Sequence, residues 1–146
     1  MTWEIKHFND LTPKALYDLI KLRLEVFIGE QGCSYEDLDD RDKQAYHVFL
    51  YDADKVVAYC RILDEGVAYE EHSIGRVCVH SNYRNQGLAR EMMKYAMQFV
   101  KNQDCTHQIK ISAQSYIIPF YESLGFESIS ESYLEEGIEH RKMKWK

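Results

Sequence analysis

The chain has 146 residues, with 18 Lys and Arg against 24 Asp and Glu and a formal net charge of −6. That length suits one domain spanning residues 1–146, able to build a core without metal or disulfide staples. With 45% hydrophobic, 13% aromatic and 29% charged residues the composition excludes a disordered acidic tail, and its acidic balance argues against a nucleic-acid binder, which carries a basic face.

Trp3 to Phe8 reads as a first strand. Thr12-Pro13 opens a helix in which Leu16, Leu19, Ile20, Leu24 and Phe27 recur at helical spacing, until Gly29 and Gly32 break it. The acidic stretch from Glu36 to Asp42 predicts a second short helix. Tyr46–Tyr51 and Val56–Leu63 form a hairpin around Asp52–Lys55, and an acidic loop runs from Asp64 to His72. Ser73–His80 is an apolar strand of the sheet interior. Leu88–Val100 is the clearest amphipathic helix, Gln108–Ala113 another strand, and Ile117–Leu124 a helix stopped by Gly125. From Phe126 onward two strands flank the turn Glu135-Glu136-Gly137. This order predicts a mixed α/β domain built on a largely antiparallel sheet, neither doubly wound nor a barrel.

No window approaches the roughly 18 consecutive apolar residues of a membrane span. The opening residues hold neither an apolar signal segment nor an Arg-rich transit pattern, so a cytoplasmic chain without membrane contact is expected. Cys33, Cys60, Cys78 and Cys105 lie far apart with no C-x-x-C pair. Free thiols and no metal site are therefore expected.

The segment Arg84-Asn85-Gln86-Gly87-Leu88-Ala89 lies between the apolar strand and the amphipathic helix. Gly87 tolerates positive φ and lets an anion approach the backbone. The first helical turn leaves N–H groups without internal partners at the positive end of the macrodipole. Together they predict an anion site, supplemented by Arg84 and Arg90. It is neither a P-loop nor a dinucleotide fingerprint, because G-x-x-x-x-G-K-[ST] and G-x-G-x-x-G are absent.

R-x-x-G-x-A after an apolar strand resembles the pyrophosphate-binding motif of the GNAT superfamily of acetyl-CoA-dependent N-acetyltransferases. Pro119-Phe120-Tyr121-Glu122-Ser123-Leu124-Gly125-Phe126 resembles that superfamily's later F-Y-x-x-x-G-F helix. The element order matches along nearly the whole chain. Val26-Phe27, Glu30-Gln31, Cys33, Asp39-Asp40, Ile74-Gly75-Arg76-Val77 and Gly137-Ile138…His140 narrow the resemblance to its ElaA-like branch. The resemblance implies a central mixed, mostly antiparallel sheet of six or seven strands with about four helices, splayed at the cofactor strand. It implies acetyl-CoA as co-substrate and direct transfer to an amine. Val77, Cys78 and Val79 would lie along the pantetheine and Arg84 to Ala89 would hold the pyrophosphate. Phe120 lies in the second motif, and Tyr121 matches the general acid to the CoA sulfur. Where many members place an Asn, this chain has Gln114-Ser115.

The general base stays open among His80, Glu30 and His140. Cys78, in an apolar strand with no His partner visible, reads as a packing residue more readily than as an acetyl carrier. Glu30, Glu36, Asp37, Asp39, Asp40, Glu131, Glu135, Glu136 and Glu139 fall where such folds build the acceptor pocket, predicting an acidic mouth for a cationic amine: a polyamine, an amino sugar, a Lys side chain or an N-terminus. Two other classes stay open: a non-catalytic acyl-CoA sensor, and a protein-interaction domain on the same fold. Aromatic strands near the C-terminus would allow a homodimer.

Overall fold

The computed structural model describes residues 1–32, 36–103 and 108–146; Cys33 and Cys105 lie outside the described residues. Strands β1 (Thr2–His7), β2 (Tyr46–Asp52), β3 (Lys55–Leu63) and β4 (Ser73–Val79) form an antiparallel sheet in that order. A second sheet has β8 (Ile138–Trp145) at its centre, paired with β5 (Ile109–Gln114), β6 (Glu127–Ser128) and β7 (Tyr133–Glu135). The sheets meet where His72 bridges Ile109 in parallel and the Lys110 N–H donates to the His72 carbonyl at 2.9 Å. Beyond that point no ladder joins β4 to β5 among the described residues. The two strands part, and their facing edges border a cleft.

Helix α1 (Pro13–Arg23) starts where the Thr12 hydroxyl accepts from the Ala15 N–H and Pro13 fills the first turn. Its stripe of Ala15, Leu19 and Leu22 packs on one face of the first sheet, with Phe49 and Tyr59 beneath it. The helix runs on as a π-helical turn, Leu24–Glu30, which carries Val26 and Phe27 into the same core. On the opposite face, α2 (Leu88–Gln103) buries Leu88, Met92, Met93, Ala96, Met97 and Val100. The short α3 (Ile118–Ser123) adds Tyr121. It ends at Gly125, whose φ of +101° strains any side-chain-bearing residue and where a Cβ would crowd the Trp145 indole at 3.2 Å.

The fold differs from expectation in three respects. There are three α-helices among the described residues, not about four. Eight strands stand among the described residues rather than six or seven, because the tail divides into β6, β7 and β8, and they form two sheets. The Glu36–Asp42 stretch is not a helix; only a 3-10 turn at Arg41–Gln44 interrupts an irregular path. Its carboxylates are used in tertiary ion pairs instead.

Those pairs join α1, β3 and β4. Arg23, fully buried, meets Asp42 at 2.8 Å and Asp37 at 2.9 Å. Arg61 holds both oxygens of Asp39, at 2.7 and 3.0 Å, and touches Asp42 at 3.1 Å. Arg76 reaches Asp37 at 3.1 Å and Asp39 at 3.4 Å. Three positive and three negative charges thus meet in a largely buried cluster. Burial alone would raise the Asp42 carboxyl, but the hydrogen bonds and charges of Arg23 and Arg61 outweigh it and hold the group below the ordinary carboxylate range. Beneath the cluster, the Tyr59 hydroxyl donates to His47 Nδ1 at 2.6 Å and His47 Nε2–H donates to the Asp42 carbonyl at 2.9 Å. Burial, reinforced by the Arg23 and Arg61 charges, pushes the His47 imidazolium below its usual value and keeps the ring neutral.

Removing one member of a buried ion pair leaves its partner's charge uncompensated. Asp42→Ala is therefore expected to lose about 3–5 kcal/mol in urea denaturation. His47 is neutral in the fold and protonates more easily once unfolded. Its contribution is complete above the unfolded value of 6.5 and declines as pH falls below it. The urea midpoint of the wild type should thus fall between about pH 7 and pH 5.5, and His47→Gln should flatten that limb.

Candidate acyl-transfer site

A β-bulge lies on the β4 wall of the cleft between β4 and β5. Between the pairs Tyr59↔Cys78 and Arg61↔Gly75, β3 spends one residue and β4 spends two, Arg76 and Val77. Arg76 takes φ +52°, a conformation uncommon for a side-chain-bearing residue. Its salt bridges to Asp37 and Asp39 hold it there. The cavity is lined on one side by Ile74, Arg76 and Val77 and on the other by Ile111, Ala113 and Gln114. Tyr121 rises into it from α3, and His140 and Glu135 close it from the second sheet. An adjoining hollow of about 210 Å³ continues past Phe27 to Ile138.

Past the end of β4 the chain enters the Arg84–Ala89 turn. Asn85 and Gly87 both have positive φ, +64° and +77°, and a Cβ on Gly87 would meet nothing within 4 Å. This is an open concavity of backbone at the N-terminus of a sixteen-residue helix. The arginines of this turn and the following helix make contacts of their own. Arg84 bonds both carboxylate oxygens of Glu30 and, at 3.0 Å, the Val79 carbonyl. Arg90 donates to the Ser123 hydroxyl at 2.8 Å and covers the Phe120 ring at 5.4 Å. The first ties the turn to the end of the π-helical segment; the second fastens α2 to α3. An anion here would rest on backbone N–H groups.

The other candidates separate. Tyr121 is 8% exposed, and burial pushes its phenol above its ordinary range, so it stays protonated at neutral pH. His140, 7% exposed, lines both parts of the cavity. His80 is not in it. Its Nδ1 accepts from the Asn82 N–H at 3.1 Å and its Nε2 faces Glu25 at 3.8 Å, in a separate hollow beside α1. Glu30 lies outside the cavity walls, engaged by Arg84. Of the acidic residues expected at the mouth, Asp37 and Asp39 are consumed by arginines, Asp40 pairs with Lys43 at 3.1 Å, and Glu135 and Glu136 reach the cavity. Among the described residues, no His, Cys, Asp and Glu side chains are grouped as a metal ion would need, and no helix is long and apolar enough to cross a membrane.

The GNAT acetyltransferase domain model matches residues 9–146. The chain belongs to the GNAT acetyltransferase family. Its structure is similar to an acyl-CoA N-acyltransferase from Pseudomonas aeruginosa, with a TM-score of 0.93, 34% identity and complete coverage of both chains. It is also similar to Escherichia coli ElaA, with a TM-score of 0.92, 31% identity and complete coverage of both chains. A UPF0039 protein of Schizosaccharomyces pombe is 38% identical over 141 residues, 95% of this chain and 93% of that one. The GNAT chain is thus an acyltransferase, ElaA-like in sequence, on a fold that binds acyl-CoA.

Cys78 is buried within this GNAT strand, and burial drives its thiol well above the ordinary range, as it does for Cys60. A thiol so far from thiolate makes a poor acyl carrier. Peptide mass mapping after incubation with acetyl-CoA should find no acetyl group on Cys78; an acetylated Cys78 would replace direct transfer by a two-step route.

Proposed function

We propose that the protein transfers an acetyl group from acetyl-CoA directly to the primary amine of a cationic acceptor. The observation that carries this reading is the pairing of two features along one stretch of chain: a cavity walled by β4 that reaches Tyr121 and His140, and, past the end of that strand, an open backbone concavity at Gly87. The pyrophosphate fits the concavity: Gly87 offers open space where a Cβ would stand, and the N–H groups of Leu88 and Ala89 begin the helix. Val77, Cys78 and Val79 would present backbone groups to the pantetheine, with Gln114 opposite.

The chemistry needs a deprotonated amine, a donor for the forming oxyanion and a proton for the departing thiolate. His140 receives one proton from the ammonium. The amine then attacks the acyl carbon, the C–N bond forms and the C–S bond breaks. The thiolate takes the Tyr121 phenolic proton, and the second proton of the amine restores the phenol through solvent. In balance, ammonium and thioester become amide, thiol and one proton.

Titration with CoA tests this reading. At one hundred times its Kd, CoA should add about 2.7 kcal/mol to wild-type stability. Gly87→Val, which fills the concavity and strains φ, should weaken CoA binding at least tenfold. Tyr121→Phe should keep CoA affinity while lowering thiol release with a panel of primary amines by roughly 10²-fold. Absence of stabilisation by CoA, or full turnover by Tyr121→Phe, would contradict it.

A further inference from the structure

His140 Nδ1 lies 2.7 Å from the Ile138 carbonyl oxygen. A carbonyl only accepts, so Nδ1 carries the hydrogen, and in the neutral ring Nε2 is left as an acceptor. That Nε2 faces another acceptor, Glu135 Oε2, at 3.6 Å, longer than an N–H···O hydrogen bond. The imidazole cannot easily turn to change this. Its side chain is 8% exposed and lies stacked on the Tyr133 ring, 6.1 Å between centroids and 26° between planes. Glu135 is itself positioned, its other oxygen accepting from Ser112 Oγ at 3.4 Å.

We propose that His140 and Glu135 form the subsite that binds the acceptor's primary alkyl ammonium and removes its proton. The proposal rests on the cleft being the acyl-transfer site. Two acceptors face to face on the cavity wall call for a multiple N–H donor. An ammonium nitrogen roughly 2.9 Å from each, on the cavity side, reaches both. A quaternary ammonium offers no N–H and a hydroxyl only one. Phe27 supplies an apolar wall for the alkyl stem. Arg76, whose guanidinium lines the cavity, is held by Asp37 and Asp39, so it does not repel the cation as a bare charge would. One ammonium proton passes to Nε2, the amine keeps its lone pair, and the imidazolium retains Nδ1–H on Ile138. Glu135, half exposed, then stabilises the imidazolium and gives the proton a way out to solvent.

The competing arrangement is an imidazolium simply ion-paired with Glu135. Nitrogen NMR of His140 separates the two, with n-propylammonium as probe and tetramethylammonium as a control of equal charge. At about pH 8 the free protein should show protonated Nδ1 and bare Nε2. Propylammonium should move the Nε2 resonance saturably, tetramethylammonium should not, and Glu135→Gln should weaken the propylammonium response at least tenfold. A protonated Nε2 in the free protein, equal responses to both cations, or no effect of Glu135→Gln would overturn the proposal. CoA binding is scored separately. If CoA stabilises the protein while propylammonium leaves His140 unmoved, the ammonium subsite alone falls; if propylammonium titrates Nε2 and CoA does not bind, the acyl-donor reading falls instead.

Discussion

Three arginines and three aspartates decide where this cleft stands. Arg23, Arg61 and Arg76 come from α1, β3 and β4, while Asp37, Asp39 and Asp42 come from one loop segment. Such a cluster adds little net stability compared with a well-packed apolar substitute, because desolvating six charges offsets much of their attraction. What it supplies is geometric. It folds an otherwise irregular loop against the first sheet, and it gives Arg76 the partners that hold a positive φ in mid-strand. The bulge lies on the β4 wall of the cavity, whose facing wall is β5.

In the proposed reading, donor and acceptor would be recognised by different means. At the Gly87 end the structure offers backbone N–H groups and a helix dipole, with the nearby Arg84 charge already matched by Glu30. At the other end it offers side chains, His140, Tyr121 and Glu135, each fixed by burial or by a neighbour. The net charge of −6 therefore does not oppose a polyanionic donor, which would meet main chain. Nor does it describe the acceptor pocket, since much of the acidic run is neutralised in place and only a few glutamates reach the cavity.

Motifs tied to local backbone were legible in the sequence. Gly87 marked its turn and Gly125 its helix end, and both have the positive φ that only glycine adopts freely. The alternating run of β5 and the stripe of α2 gave their buried faces directly. The roles of Arg23, Arg61 and Arg76 were not legible, because each depends on a partner 14 to 39 residues away. A signal was present: Arg23, Arg61 and Arg76 interrupt apolar elements, where an unpaired guanidinium would be costly, and the acidic run supplied their partners. Glu30 and His80 likewise carry suitable chemistry, but the fold turns one to Arg84 and the other to Asn82 and Glu25. His140 was one of three histidine and glutamate candidates, and the second sheet sets it opposite Gln114 on the cavity wall.

The central claim is that the parting of β4 from β5 is the acyl-donor site. Amide hydrogen exchange with and without saturating CoA tests it most directly. The account predicts new protection at residues 77–79 and 86–90, with the β1–β2 ladder unchanged. Protection elsewhere on the surface, or none at those amides when CoA is bound, would contradict it.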